Sequence, residues 1–268
     1  MTAWGATGVT VERSGRAALA GVSITVDPGE IVAVVGGDGA GKTTLLRTLA
    51  GAIAPTAGEV TAPALARIGF MPTAAGVWRD LSVDENIAFV AAAHGIAGTA
   101  LAERRAALLT GAGLEQAASR LARDLSGGMR QKLAFSLAML HRPELLILDE
   151  PSTGVDPVSR VDLWRMVSLA ASQGAAVVMA TTYLDEAERA HRVVVLDAGE
   201  ILLEGTPAEV LAGVPGHVVA DDAPGDPART WRRGRGYRVW SPEDPPAGHP
   251  RAADIEDAVV AAAIAKGA

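Results

Sequence analysis

Apolar residues along this 268-residue chain fall into two alternating patterns, short continuous runs and longer segments with helical spacing. Continuous runs at 31–35, 145–148 and 175–180 have the length and composition of strands that are buried on both faces. Similar patterns predict further strands at 9–11, 22–26, 66–71, 192–196 and 200–204, and helices at 45–50, 99–110, 131–141, 158–172 and 184–191. Strands that alternate with helices predict an α/β fold with a parallel sheet.

The pattern also predicts how the chain is divided. From 78 to about 140 it is helical, which indicates a helical insert within the α/β domain. After 213 the chain becomes rich in proline and glycine, and a short amphipathic helix at 254–266 closes it. We therefore expect one domain at 1–213, with its insert at about 74–140, and an extension at 214–268.

The strand at 31–35 runs into a glycine-rich loop that a helix follows. Residues 36–44 read GGDGAGKTT, with the G-x-x-x-x-G-K-T spacing of a phosphate-binding P-loop. Glycines let several N–H groups point at one phosphate, while the helix N-terminus and Lys42 add positive charge. The hydroxyl of Thr43 can reach the Mg²⁺ that accompanies a nucleotide. The predicted nucleotide site comprises Gly36, Asp38, Gly39, Gly41, Lys42, Thr43 and Thr44.

A second glycine pair starts another predicted helix, in the stretch LSGGMRQK at 125–132. The hydroxyl of Ser126 and the free N–H groups of Gly127 and Gly128 could bind an anion, with help from the helix dipole. Judged on these residues alone, a turn with a helix cap is the simpler interpretation.

The apolar strand at 145–148 ends in two carboxylates, Asp149 and Glu150. Side chains at the carboxyl end of a parallel strand enter the ligand crevice. Asp149 can hold magnesium through water, and Glu150 can orient or deprotonate the attacking water. An acidic turn without a function is common in isolation, but the P-loop upstream favours the catalytic interpretation.

In this order, the P-loop, LSGGMRQ and LLILDEP resemble the ATP-binding subunits of ABC transporters, and the match covers residues 9–213. Further similarities are GEV at 58–60, LSVDEN at 81–86, STGVDP at 152–157 and TYLDEAE at 182–188. The last two stretches and IEDAV at 255–259 look most like exporters that pair with a separate permease and move drugs, lipids or other hydrophobic cargo.

The resemblance implies a P-loop NTPase fold with a RecA-like parallel sheet core, an antiparallel β subdomain and an inserted α-helical subdomain. It also implies ATP and Mg²⁺ as cofactors and a transmembrane permease as a partner. A second cassette, identical or different, is expected to pack head to tail with this one.

The family's functional positions transfer residue by residue. Lys42 is implied to grip the β- and γ-phosphates, and Thr43 and Asp149 to handle magnesium. Glu150 is implied to be the catalytic base. The resemblance assigns the clamp on the partner's γ-phosphate to Ser126, Gly127 and Gly128, and the D-loop aspartate to Asp156.

Three positions depart from the family's pattern. Arg13 stands about where an aromatic usually stacks on adenine, and an arginine plane can also stack on a base. Thr73 replaces a glutamine that reaches the magnesium and water. Thr182 replaces the switch histidine, which contacts the γ-phosphate and helps to hold Glu150. Because such orienting groups contribute about 10²–10⁴ in rate, we expect ATP binding with slow hydrolysis.

Three functions are compatible with parts of this pattern. The leading one is a transport ATPase subunit whose dimer closure drives a permease. The second is a nucleotide-gated clamp with little hydrolysis, paired with a more complete cassette. The third is a soluble ABC ATPase acting on ribosomes or chromosomes. It is disfavoured because only about 80 residues separate Lys42 from Ser126, which leaves no room for a long coiled coil, and because only one cassette is visible.

Composition limits the partners and the compartment. The net charge of −7 argues against nucleic acid as a partner. The lack of cysteine excludes disulfides and favours the cytosol. No signal-like segment is recognised, and the uncharged stretch 86–102 falls short of the ~20 apolar residues of a membrane span. We expect a cytoplasmic chain held at the inner face of the cell membrane by a permease.

Two further features have alternative interpretations. Residues 229–240 hold five arginines and three aromatics, as a nucleic-acid or anionic-membrane site does. A β-hairpin whose arginines offset an acidic body is favoured because the net charge is negative. Trp78 could contact a permease or belong to the core.

Overall fold

The computed structural model describes residues 3–13, 15–74, 76–223, 225–245 and 248–267. The strands in these ranges are β1 (Trp4–Arg13), β2 (Arg16–Val26), β3 (Ile31–Val35), β4 (Ala57–Thr61), β5 (Ile68–Met71), β6 (Leu145–Asp149), β7 (Ala176–Ala180), β8 (Arg192–Asp197), β9 (Glu200–Gly205), β10 (His217–Asp221), β11 (Thr230–Arg233) and β12 (Gly236–Ser241). The helices are α1 (Lys42–Leu49), α2 (Val83–Ala93), α3 (Gly98–Ala112), α4 (Gly127–Met139), α5 (Pro157–Ser172), α6 (Leu184–Ala187), α7 (Pro207–Ala212) and α8 (Ile255–Gly267). The predicted α/β class is confirmed.

The chain divides into two compact units. One consists of Met1–Ile31 and Thr43–Thr181, and the other of Val32–Lys42 and Thr182–Ala268. The domain limit expected at residue 213 lies within the second unit and stays a prediction. Among the helices of the described residues, none combines the length and apolar character that a membrane span requires.

An antiparallel sheet with the strand order β2-β1-β4 lies in the first unit. Its edge strand β4 begins at Ala57 and is exposed over most of its length. At Gly58, with φ at 83°, an added Cβ would lie 2.4 Å from the carbonyl oxygen of Gly8. Close backbone contact therefore shapes this exposed edge, and the strand carries no apolar alternation that a sequence pattern could reveal.

A parallel ladder of β5, β6 and β7 also belongs to the first unit. Leu145 of β6 lies opposite Ile68 of β5 and Ala176 of β7. All residues of β6 and β7 are buried, as their continuous apolar composition predicts. The strand predicted at 66–71 starts later, at Ile68, because 65–67 form a 3₁₀ turn. The ladder fixes the place where the acidic pair leaves β6.

The helices α2, α3 and α4 of the first unit share an apolar core. Its buried members include Val83, Ile87, Leu109, Leu114, Leu133 and Leu137. Helix α3 runs past Gly111 because the residue that ends it is Gly113, whose φ of 63° is left-handed. Helix α4 begins at Gly127, four residues before the predicted start, because Ser126 caps it.

Trp78 lies outside this core. It is 44% exposed, and its ring centroid is 4.3 Å from that of Phe89, which is 50% exposed. The two rings form an exposed aromatic pair on the first unit, so the interpretation of Trp78 as a core residue is wrong. Its interpretation as a permease contact stays a prediction.

The second unit contains the strand that precedes the P-loop. Buried β3 pairs in parallel with β8, and β8 pairs antiparallel with β9. Helix α6 ends at Ala187, four residues before the predicted end at His191. A further antiparallel sheet with the order β10-β12-β11 spans 217–241. The proline and glycine content of this region hid β10 from a sequence pattern.

The arginine-rich hairpin at 229–240 is confirmed by the pairing of β11 with β12. Arg233 donates a 2.6 Å hydrogen bond to Asp254, and Arg238 donates one of 3.1 Å to the buried carboxylate of Asp257. Arg229 lies over the Trp240 ring, 5.6 Å from its centroid. Three of the five arginines therefore have partners within the unit, as the hairpin interpretation expects.

Two histidines stack in the first unit. The rings of His94 and His141 are nearly parallel, with centroids 3.9 Å apart, and Nε2 of His141 is 3.1 Å from the Ile68 carbonyl oxygen. Burial, followed by the charges of His94 and Arg104, lowers the pKa of His141.

We expect His141 to make the protein less stable in mild acid. A histidine whose pKa is lower in the folded state binds protons more tightly when unfolded, so stability falls as the pH drops through the unfolded value of about 6.5. His141→Gln should reduce the decline of Tm between about pH 7 and pH 5, measured by thermal unfolding. The exposed His249 supplies the control, His249→Gln. Equal slopes for His141→Gln and wild type would contradict the assignment.

Candidate functional site

The glycine-rich loop wraps around the ammonium group of Lys42. This side chain is only 6% exposed, and its Nζ donates hydrogen bonds to the carbonyl oxygens of Gly36 at 2.7 Å and Gly37 at 3.1 Å. The loop is closed by a 3.2 Å hydrogen bond from Ala40 N–H to Gly37. The curled backbone holds the positive charge at the N-terminus of α1, where a phosphate gains most from it.

Glycine is required at the start of the loop. A Cβ on Gly36 would lie 2.0 Å from the carbonyl oxygen of Leu196, a distance that no side chain can accommodate. Gly39 and Gly41 have φ values of 78° and 108°, which favour glycine. Asp38 is exposed on the same loop. The second unit thus contains the predicted loop residues up to Lys42.

The first turn of α1 contacts the acidic end of β6. Thr43 donates a 3.1 Å hydrogen bond from Oγ1 to Oδ1 of Asp149, and Thr44 follows it in the helix. Asp149 is fully buried, and its Oδ2 has no hydrogen-bond partner among the described residues. A hydroxyl and a buried carboxylate with a free oxygen are hard ligands that fit Mg²⁺. The two residues predicted to bind magnesium therefore lie together.

Glu150 follows in an unusual conformation. Its φ is 53°, a left-handed value that is uncommon for a residue with a side chain, and its N–H donates to the Ala180 carbonyl at 3.0 Å. The Thr153 hydroxyl donates a 2.9 Å hydrogen bond to Oε2 of Glu150. Strained backbone of this kind clusters at functional sites.

Thr153 was missed by the sequence analysis. Its hydroxyl orients the Glu150 carboxylate from three residues further along the chain, across the turn that starts at Pro151. The signal was available, because a threonine three residues after a candidate base can hydrogen-bond back to it.

Ser126 caps helix α4 as its sequence predicts. Its Oγ accepts a 3.2 Å hydrogen bond from Met129 N–H, and its side chain remains exposed. A hydroxyl that accepts one bond in a cap still has its own proton to donate. The cap and the anion site are therefore compatible uses of the same residue.

The two glycines of the signature stretch LSGG at 125–128 let α4 approach the start of α5. A Cβ on Gly128 would lie 2.3 Å from Oγ of Ser159, and one on Gly127 would lie 3.1 Å from the Gly154 carbonyl oxygen. Asp156 caps α5 by accepting from Val158 N–H at 3.1 Å and Ser159 N–H at 3.0 Å. The signature and D-loop stretches are thus brought together within the first unit.

Hydrogen bonds from Ser159, first from its backbone and then from its side chain, lower the pKa of Asp156. The carboxylate is therefore held ionised at its helix N-terminus, where negative charge is favourable. Its role in the α5 cap is local and structural. Contact of Asp156 with a nucleotide stays a prediction.

The three residues that differ from the family's pattern, Arg13, Thr73 and Thr182, are all exposed. Arg13 ends β1 opposite Arg16, and Thr182 follows β7. Thr73 follows β5 and lines a small cavity with Arg130 and the mostly buried Gln131. Thr73 therefore lies close to α4. The positions of the three residues do not test the stacking role of Arg13 or the catalytic roles of Thr73 and Thr182.

Several known proteins are similar to this chain in sequence or in structure. A family model described as ABC transporter matches residues 19–153. The probable multidrug ABC transporter ATP-binding protein YbhF of Escherichia coli (strain K12) is 40% identical over 202 residues, which are 72% of this chain and 35% of YbhF. This chain therefore spans about a third of the length of YbhF.

Two further similarities cover more of the matched protein. The daunorubicin/doxorubicin resistance ATP-binding protein DrrA of Streptomyces peucetius is 35% identical over 217 residues, which are 77% of this chain and 66% of DrrA. A solved structure of an ATP binding subunit of an ABC transporter is 27% identical, with a TM-score of 0.72 over 78% of this chain and 92% of that one.

Proposed function

The chain belongs to the ABC transporter family of ATP-binding proteins, and from this premise we propose that it hydrolyses ATP as one subunit of an exporter. The observation that carries the proposal is the arrangement at the end of β6. Asp149 is buried with a free oxygen beside the Thr43 hydroxyl, and Glu150 follows directly. Asp149, a ligand for the metal, and Glu150, a base for the attacking water, are thus neighbours in the chain with different roles.

Magnesium would be held by Thr43 and Asp149, directly or through water. When bound, it neutralises phosphate charge and polarises the γ-phosphate. The remaining work falls to the chain's own groups. Lys42 supplies a fixed positive charge to the phosphates, and the loop N–H groups orient them without reorganisation during the reaction.

Glu150 is proposed as the base that orients and deprotonates the attacking water. Its carboxylate is held by Thr153, so part of the orientation that the family obtains from a histidine comes from within the D-loop turn. Thr73 and Thr182 lack the reach and the imidazole of the family's usual residues. We therefore propose that hydrolysis is slow at this chain's own P-loop.

A second cassette is proposed as the partner that completes the site. The exposed cap at Ser126 has a hydroxyl proton and helix N–H groups available to a γ-phosphate on another chain. The names of YbhF and DrrA, a multidrug transporter component and a drug resistance protein, support an exporter of hydrophobic cargo. As the ATPase subunit of such an exporter, the chain is proposed to bind a permease at the cytoplasmic face of the membrane.

A nucleotide-gated clamp is the alternative function. The specific observation behind it is the pair of threonines at 73 and 182, which weakens the catalytic constellation without touching the phosphate grip. Such a clamp would close on ATP and rely on a complete cassette for turnover. The two functions differ in the rate of phosphate release by this chain, not in its affinity for ATP.

The metal ligand Thr43 provides the test of the proposed site. Thr43→Val should weaken binding of magnesium–ATP about tenfold or more, since it removes a hydroxyl ligand, and should change binding of ATP in EDTA less than threefold. Titration with a fluorescent ATP analogue measures both affinities, and phosphate release measures turnover. Thr48→Val is the matched control, because the Thr48 hydroxyl donates to the Thr44 carbonyl within α1 at 2.8 Å. Equal losses with and without magnesium would overturn the assignment.

A further inference from the structure

Helices α3, α4 and α5 of the first unit surround a cavity of about 440 Å³. This volume lies within the range of about 300–1,000 Å³ that is typical of small-molecule sites. Most of the wall is apolar, and its larger side chains are Leu108, Phe135, Met139, Met166 and Leu169. The cavity is made only of residues outside the proposed nucleotide site.

One wall of the cavity carries an ammonium group without a hydrogen bond. The side chain of Lys132 is only 14% exposed, and its Nζ lies 3.6 Å from Oδ2 of Asp162, which is too far for a hydrogen bond. Lys132 has no closer acceptor among the described residues. Because Lys132 has only this longer ion pair with Asp162, an anionic group of a ligand that accepts a hydrogen bond from Nζ would add a stronger, charge-assisted contact.

The same end of the cavity has a surplus of positive charge. Asp162 also accepts a 3.2 Å hydrogen bond from Nη1 of Arg165, so one carboxylate is shared between two cations. Two positive charges against one negative charge leave a net charge of +1 beside an apolar wall.

We propose that this cavity binds a small amphiphilic anion, with an apolar body between the three helices and one carboxylate or sulfonate group on Lys132. The apolar wall supplies affinity without direction, and the ammonium group fixes the orientation and selects for negative charge. The ligand class follows from this pairing. A neutral apolar molecule would leave Lys132 without an acceptor, and a small inorganic anion would leave the apolar wall uncovered.

Two of the helices that line the cavity begin at the LSGG stretch and at the D-loop stretch. Helix α4 starts at the Ser126 cap and α5 starts at the Asp156 cap. A ligand that packs between these helices favours one spacing of them, and thereby of their N-termini. This regulatory consequence rests on the proposed function, whereas the binding itself does not.

A pair of dyes tests the proposal directly. 8-Anilinonaphthalene-1-sulfonate and N-phenyl-1-naphthylamine share one aromatic frame, and the first carries a sulfonate that the second lacks. Both are titrated by fluorescence against the full chain in saturating magnesium–ADP, which keeps the anionic dye out of a nucleotide site. We expect the anionic dye to bind the wild-type chain at least tenfold more tightly than the neutral one.

Two variants and one control test where the dyes bind and whether Lys132 selects for negative charge. Gly111→Leu should abolish binding of both dyes, because a Cβ at Gly111 meets no atom within 4 Å and the side chain enters the cavity. Ala106→Leu, on an exposed part of the same helix, should leave both affinities within twofold. Lys132→Met keeps the stem and removes the charge, so it should weaken the anionic dye about tenfold and the neutral dye less than twofold.

Further controls separate folding from binding. Arg67→Met removes an exposed cation elsewhere in the same unit and should change neither affinity. If Gly111→Leu lowers Tm, Ala107→Leu, at a neighbouring lining position, takes its place. Dye binding that survives both filling variants would overturn the site. Equal weakening of the two dyes by Lys132→Met would overturn the anionic class of the ligand.

Discussion

Replacing Glu150 with glutamine is expected to lower the rate of ATP hydrolysis by about 10²–10⁴-fold, while the affinity for magnesium–ATP stays within about threefold of wild type. Glutamine keeps the size of the side chain and can still receive the hydrogen bond from Thr153, but it cannot accept a proton from water. Asp149 and Thr43 are untouched, so the metal ligands remain. The loss is therefore confined to the chemical step.

The measurement is steady-state phosphate release together with equilibrium nucleotide binding. Glu144→Gln is the matched control, since Glu144 precedes β6 as Glu150 follows it and forms an exposed ion pair with Arg67. It should retain wild-type turnover. Thr153→Val keeps the Glu150 carboxylate but removes its hydrogen bond. Its turnover should lie between those of Glu150→Gln and Glu144→Gln, about tenfold below wild type.

The Glu150→Gln chain also reports on pairing. With hydrolysis blocked, ATP should hold two cassettes together, and the complex should elute as a dimer on a sizing column. A variant that stays monomeric with ATP argues for a different cassette as the natural partner. Unchanged turnover in Glu150→Gln would remove Glu150 from the reaction and, with it, the proposed mechanism.

The parts of the site that sequence predicts are those whose chemistry is local. The spacing of residues 36–44 defines the P-loop because glycines, lysine and threonine act within one turn of backbone. The apolar run at 145–148 predicts a buried strand, so its end and the carboxylates Asp149 and Glu150 could be placed at the edge of a sheet. The contact between Thr43 and Asp149 joins two such predictions.

Other features depend on contacts that no local pattern records. Strand β4 owes its position to the close approach of Gly58 to Gly8, and β10 lies in a stretch whose prolines and glycines obscure its alternation. The place of Lys132 on the wall of an apolar cavity, 3.6 Å from Asp162, arises from the packing of three helices. Periodicity shows which face of a helix is apolar, but not that two such faces leave a cavity between them.

Thr182→His combined with Thr73→Gln is expected to raise the steady-state ATPase rate of this chain by about 10–100-fold, because it returns two orienting groups to a site whose base and metal ligands are present. In the family, the histidine contacts the γ-phosphate and helps to hold the base and water in line, while the glutamine reaches the magnesium and water. Thr182→His alone should supply the larger part, since an imidazole provides a donor at a reach that threonine lacks. Phosphate release at saturating magnesium–ATP measures the gain, and Thr99→His, at an exposed position on α3, is the control that adds an imidazole elsewhere. If the double variant is no faster than wild type, the threonines do not limit turnover, and the rate is set by pairing with another cassette.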